Sequence, residues 1–263
     1  MYFWAGFHKL GKPYILGVFP FVFDPILKHA PKFFHTPSLL FTFGLGSALV
    51  ELLIGVGLAT RRFQKIAAYG AICLHLGILL LIGPLGLNIA PVVWPWNLAL
   101  IAFVYLLFIQ PKVTSAKEIL IPKNKFHLLV LLLFGFAPLL NLVNLWDAYL
   151  SFHAFSGSTM DAYIQFTPQN RTKLPPEIRS VLREDRLHFY LWSMNGYNMS
   201  AYPSQRTYQS ITHQVCDQYS LDPTTAHLVI RSAPQWPSGN VHCRVYDCDG
   251  NRQAITSGNG CPQ

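Results

Sequence analysis

The stretch Glu51-Leu52-Leu53-Ile54-Gly55-Val56-Gly57-Leu58-Ala59-Thr60-Arg61-Arg62-Phe63-Gln64-Lys65-Ile66-Ala67-Ala68-Tyr69-Gly70-Ala71-Ile72-Cys73-Leu74-His75 decides the reading of this chain. Two apolar runs flank a short basic link, and each run carries one ionisable residue inside it. Working outward, four stretches approach the ~20 apolar residues that a bilayer crossing needs. They cover residues 38–60, 67–86, 93–110 and 126–146. A charged fraction of only 12% agrees with a membrane domain. After Trp146 the composition turns polar, so a soluble domain of residues 148–263 is expected to follow a bundle formed by residues 1–147. The fold class expected is a membrane all-α bundle, with four full spans plus a partial N-terminal one, followed by a small α+β soluble domain.

The net charge of +8 is confined to the membrane half. Lys9, Lys12, Lys28, Lys32, Arg61, Arg62, Lys65, Lys112, Lys117, Lys123 and Lys125 face only Asp24, Glu51 and Glu118, while the soluble half is balanced. Basic residues in short loops are topology determinants, which argues against a nucleic-acid partner. The link at Arg61–Lys65 and the segment from Pro111 to Lys125 fall on one side under alternation, and the positive-inside rule places that side in the cytoplasm. The uncharged connection from Gly83 to Pro91 lies outside, and the soluble domain follows the fourth span there. Of five cysteines, Cys216, Cys243, Cys248 and Cys261 lie in the soluble half. Four cysteines in an exported domain suit two disulfides, whereas four free thiols are the alternative. Residues 1–23 are aromatic and apolar but interrupted by His8, Lys9, Lys12, Pro13 and Pro20. They read either as the outer part of a first span or as a short interfacial helix.

Glu51 lies nine residues before Thr60, and His75 nine after Ile66. At ~1.5 Å per residue, both sit ~13 Å from one interface, level on neighbouring helices. An unpaired charge at that depth costs about 3 kcal/mol on insertion scales. Pairing Glu51 with His75 would offset much of it. Such a pair could staple two helices, handle protons or bind a ligand; metal ligation is not expected. Gly44, Gly46, Ser47, Gly55, Gly57, Gly70 and Gly77 favour close helix packing. Trp94-Pro95-Trp96-Asn97 opens the third long stretch, where tryptophan anchors at the interface. Asn88, Asn97, Asn141 and Asn144, with His8 and Lys9, are candidates for the outer mouth of a cavity.

Tyr2-Phe3-Trp4-Ala5-Gly6-Phe7-His8-Lys9-Leu10 resembles the aromatic-Gly-x-x-Lys-Leu segment that ends the first span of DoxX-like proteins and of the HTTM domain, the membrane domain of vitamin K-dependent gamma-carboxylase and its bacterial relatives. Glu51 to Leu58, Arg61-Arg62, Gly70 and His75 resemble the next two spans. The resemblance covers about residues 1–147. It implies a four- or five-helix bundle with Lys9, Glu51 and His75 facing inward as catalytic candidates. It also implies a quinone or other isoprenoid-like cofactor, for which His8, Asn88, Trp96 and Asn97 are the binding candidates, and a quinone-linked membrane oxidoreductase activity. The chain is too short for the carboxylase's lumenal portion, which argues against carboxylation itself. A different expectation is a non-catalytic membrane anchor or assembly factor whose exported domain binds a protein partner. A transporter is disfavoured because no internal repeat is visible.

In the soluble half, Asp161–Phe166, Leu187–Trp192, 227–230 and 241–246 are expected as strands. Helices are expected over 175–185 and 204–219, the latter with Tyr208, Ile211, Val215 and Tyr219 on one core-facing stripe. Val241, Cys243 and Val245 would share a face and bring Cys243 toward Cys216, leaving Cys248 for Cys261. Asp247-Cys248-Asp249-Gly250-Asn251 lacks the spacing and distal glutamate of a calcium loop and reads as a turn.

Overall fold

The computed structural model describes residues 1–110, 120–223, 225–234 and 240–253. Lys112, Lys117, Glu118 and Cys261 therefore lie outside the described residues. The chain divides into two units, Met1–Ser158 and Thr159–Gln263. The first unit runs on past Asp147, where the composition changes.

The first unit is helical. Helix α1 spans Tyr2–His8. A π-helical turn, Tyr14–Val18, leads into α2, Phe19–Leu27. Helix α3, Pro37–Ala59, opens with proline in its first turn, where no N–H is needed, and stops before Thr60-Arg61-Arg62. Helix α4 spans Gln64–Ile82 and ends at Gly83-Pro84. Helix α5, Val93–Val104, continues as a π-helix to Ile109. Helix α6 begins at Lys125–Val130, capped by the Asn124 side chain accepting from the His127 N–H. It continues through π-helical Leu131–Phe136 and 3-10 Ala137–Val143. Among the described residues, three helices are long and apolar enough to cross a membrane: Pro37–Ala59, Gln64–Ile82 and Lys125–Val143. The stretch expected as another full span, 93–110, forms the shorter apolar helix Val93–Ile109.

Packing in this unit rests on small residues. A Cβ at Gly6 would collide with the backbone of Leu52, and one at Gly55 with the backbone nitrogen of Phe3. Helices α1 and α3 are thus in backbone-to-backbone contact. Gly57 takes the Ala67 methyl between α3 and α4. Ile54, Leu58, Ala67, Ala68, Ala71 and Tyr2 form the core beneath this seam. The Trp4 Nε1–H donates to the Gly135 carbonyl at 3.1 Å, tying α1 to the last long helix.

Among the described residues, the second unit is a five-stranded antiparallel sheet with helices on one face. Its strands are β1 Asp161–Phe166, β2 Arg186–His188, β3 Ala226–Arg231, β4 Cys243–Tyr246 and β5 Arg252–Gln253, in the order β2-β1-β3-β4-β5. The helices are α7 Pro168–Lys173, α8 Pro176–Val181, α9 Phe189–Tyr197 and α10 Gln205–Gln218. Ala162, Ile164 and Phe166 of β1 meet Leu187, Leu228, Ile230, Tyr208 and Val215 in the core. Ile211 and Tyr219 pack partly buried against it, which completes the expected stripe of α10.

Two expectations need correction. The strand expected over Leu187–Trp192 ends at His188, and α9 begins at Phe189. Leu187 and Phe189 both reach the core, but Phe189 does so from the first turn of a helix, where it stacks flat on Tyr208. The disulfide pairing also differs: Cys216 is bonded to Cys248. The register sets this, because Tyr246 pairs with core residue Leu228, and Cys248 lies two residues further on the same side. Cys243 pairs with Arg231, off the core side, and is itself disulfide-bonded. The Asp247–Asn251 segment is a turn: one Asp247 carboxylate oxygen accepts from the Asp249 and Asn251 backbone N–H groups, with Gly250 at φ +83°.

The α1–α3 seam makes a direct prediction. Gly55→Ala should destabilise the first unit by about 1–3 kcal/mol through overpacking. Gly46→Ala, on the same helix with nothing within 4 Å of the added carbon, should be near neutral. Thermal unfolding of the two variants in detergent measures the difference.

Candidate functional site

Burying α1 against α3 and α4 brings its polar side chains onto the two ionisable residues of the spans. Glu51 and His75 are both buried, with 8% and 4% exposure. Their partners differ from the expected mutual pair. Glu51 Oε2 receives the Lys9 ammonium at 2.5 Å. Lys9 also lies over the Tyr14 ring, 5.7 Å from its centroid. Tyr14 is in turn hydrogen-bonded to Ser47 at 2.9 Å, and Ser47 donates to the Gly44 carbonyl. Physically, an ammonium offers a full counter-charge, which a neutral imidazole does not.

His75 instead sits in a neutral chain. Its Nε2 is 2.6 Å from the Tyr2 hydroxyl, and its Nδ1 is 2.7 Å from Asn97 Oδ1. The Asn97 amide donates to the Val93 carbonyl one turn earlier, at 2.8 Å. Asn97 is 3% exposed, so the chain from Tyr2 to Asn97 is enclosed. Together these bonds satisfy polar groups that would each cost several kcal/mol unpaired in hydrocarbon.

Tyr2 faces two ways. Its hydroxyl closes on His75, and its body lines an apolar groove of about 380 Å³ between α1, α3 and α5. Gly55, Leu58, Leu100, Phe103, Leu107 and Phe108 supply most of the wall. Concave apolar sites with a few convergent polar groups are the usual form of small-molecule sites.

A pair of histidines joins α1 to the segment after the last long helix. His8 and His153 are both buried and meet edge to face, with centroids 4.4 Å apart. Trp4 stacks on His8, with ring centroids 6.0 Å apart. Among the described residues, neither His8 Nε2 nor His153 Nδ1 has a hydrogen-bond partner. Burial, with the neighbouring His8 adding to it, pushes the His153 imidazole down from 6.5 to about 3. Among the described residues no group of three or more His, Cys, Asp or Glu could hold a metal ion.

Of the candidates read from sequence, Glu51, His75, Asn97 and His8 are thus buried in this unit, and Lys9 is partly buried. Asn88 and Trp96 stand outside the cluster: Asn88 is an exposed residue of the left-handed turn after α4, and Trp96 is 58% exposed on α5. Asn141 caps its own chain by donating to the Trp146 carbonyl, and Asn144 ends α6 in a left-handed turn. Tyr2, Tyr14 and His153 were not singled out by sequence. Tyr2 stood inside the quoted aromatic motif, whereas His153 lies in an irregular segment with no periodic signal. No family model matches this chain, no curated protein matches it, and no solved structure matches it.

Two outcomes follow from this geometry. Lys9→Met or Glu51→Leu alone should destabilise the unit by about 3–5 kcal/mol, because each strands a buried charge. The double variant should recover most of that loss, as read by unfolding in detergent; additive losses would show that the two charges are not coupled. The His153 imidazole binds a proton in the unfolded chain below about pH 6.5 but resists it in the fold down to about pH 3. Stability should therefore fall as pH drops through that window, by at most about 1.4 kcal/mol per pH unit from this group. His153→Phe should flatten the acid limb of a melting-temperature profile.

Proposed function

We propose that this protein is a multi-pass membrane protein of the DoxX/HTTM kind that holds a lipid-soluble cofactor of the quinone class in its helical unit. One observation carries the reading. An apolar groove shares Tyr2 with a buried chain of hydrogen bonds ending on His75 and Asn97. A chain of isoprene units suits the groove, and a redox-active ring needs proton-exchanging neighbours of this type. Lys9 and Glu51 lie in the same unit as a fixed ion pair that sets the local field. Any activity would be that of a quinone-linked membrane oxidoreductase.

The basic link at Arg61–Lys65 supports a cytoplasmic position for that end of α3 and α4. The Thr159–Gln263 unit is then extracytoplasmic, and the Cys216–Cys248 disulfide suits an oxidising compartment. A second reading, a non-catalytic anchor whose exported unit binds a protein partner, is favoured by the α1–α3 seam. There, Gly6, Gly55 and the Lys9–Glu51 pair would serve only to staple helices.

Organic extraction of the purified, detergent-solubilised protein, followed by mass spectrometry, separates the two. The expected result is a bound quinone or isoprenoid lipid in the parent. It should fall at least tenfold in Leu107→Trp, which fills the groove from a lipid-facing position, at unchanged melting temperature. An empty parent would favour the anchor.

A further inference from the structure

The corner between α7 and α8 of the second unit holds a basic concavity of about 400 Å³, walled by Arg171, Thr172, Pro176, Arg179 and Ser180. Its frame is fixed from below. Leu174 and Ile178 are buried in the core, which pins the corner, and Pro168, Pro175 and Pro176 restrict the backbone around it. Arg171 and Arg179, one from each helix, stand out into solvent. Charge in this stretch is uneven: between residues 171 and 186, five basic side chains stand against three acidic ones.

The polar groups of the wall are already oriented. Arg171 Nη1 donates to Asp185 Oδ1 at 2.7 Å, and the Asp185 carbonyl accepts from the Phe166 N–H of β1. That bond uses one of five guanidinium N–H groups and aims the rest. Among the described residues, the Arg179 guanidinium forms no ion pair. Both hydroxyls have committed their protons, Thr172 Oγ1 to the Gln169 carbonyl at 2.7 Å and Ser180 Oγ to the Glu177 carbonyl at 2.8 Å. Each therefore offers a ligand only lone pairs. The concavity thus presents two guanidinium forks and two acceptors.

We propose that it binds a phosphate monoester on a hydroxyl-bearing carrier. Guanidinium forks hold carboxylate or phosphate through pairs of parallel bonds. Two forks from two helices can engage more oxygens than the two of a carboxylate, and the three terminal oxygens of a doubly charged phosphate monoester match them. The acceptors at Thr172 and Ser180 match the carrier's hydroxyl groups, whereas a bare phosphate would leave them unpaired. The ester is either a soluble polyol phosphate or the headgroup of a lipid phosphate. The site is independent of what the helical unit holds.

Calorimetric titration of the purified full chain in phosphatidylcholine nanodiscs tests it, with glycerol 3-phosphate as the probe and succinate, a dianion with carboxylates only, as the control. Glycerol 3-phosphate is expected to bind saturably and at least tenfold more tightly than succinate. Arg171→Gln and Arg179→Gln should each weaken it at least tenfold. Both positions are exposed, so these variants should melt with the parent. Arg206→Gln, which removes an equal charge from an exposed position on α10, should bind as the parent does. Ser180→Ala should weaken glycerol 3-phosphate about threefold and leave inorganic phosphate unchanged. Phosphatidic acid in the nanodisc separates the sources: competition with the probe assigns the site to a lipid headgroup, lack of it to a soluble ester, and either upholds the site. Absence of saturable binding, equal affinity for succinate, full binding by Arg179→Gln or an equal loss in Arg206→Gln overturns it. Unchanged glycerol 3-phosphate affinity in Ser180→Ala overturns the hydroxyl-bearing carrier.

Discussion

The contact on which the first unit depends is the backbone approach of α1 to α3 at Gly6 and Gly55. In hydrocarbon there is no solvent to drive helices together, so close packing and internal hydrogen bonds must do it. Removing two Cβ atoms lets a seven-residue helix lie directly on a long one. Tyr2 and Lys9, seven residues apart, are both held near the body of the unit by this seam; Tyr2 finds His75 of α4 and Lys9 finds Glu51 of α3. Without the seam, Glu51 would lose its counter-charge and His75 its hydroxyl.

The two polar systems in this unit are built on different principles. Lys9 and Glu51 form an ion pair whose members are worth little singly and costly apart. Tyr2, His75 and Asn97 form a chain of hydrogen bonds that involves no counter-ion. The first fixes helices in place. The second orders its members in turn, because each bond depends on the orientation of the next.

The sequence made the depth of Glu51 and His75 legible, because ionisable residues stand out in apolar runs and rise per residue converts position to depth. It could not make their partners legible, since counting residues yields height along a helix and not the direction a side chain faces. Lys9 was visible through its motif; Tyr2 was not, because a tyrosine near a helix end is commonplace. In the second unit, alternation located β1 and β3, and the apolar stripe located α10. Alternation misled at Phe189, where Phe189, Trp192 and Ser193 also fit one face of a helix and the helix prevails. The cysteine pairing turned on register: Cys243 and Cys248 are an odd number of residues apart, so they leave the strand direction on opposite sides.

Asn97 gives its NH2 to the Val93 carbonyl and so turns its Oδ1 toward His75 Nδ1, which divides the hydrogen-bond chain into a fixed and a moving part. Nδ1 of His75 keeps its proton whether the ring is neutral or charged, so the bonds through Asn97 to Val93 are the same in both states. A proton arriving at Nε2 alters only the other half: Nε2 becomes a donor, and the Tyr2 hydroxyl must swing its hydrogen away. The backbone of α5 thus serves as a stationary mount, and a single phenolic O–H rotor is the only component that has to turn.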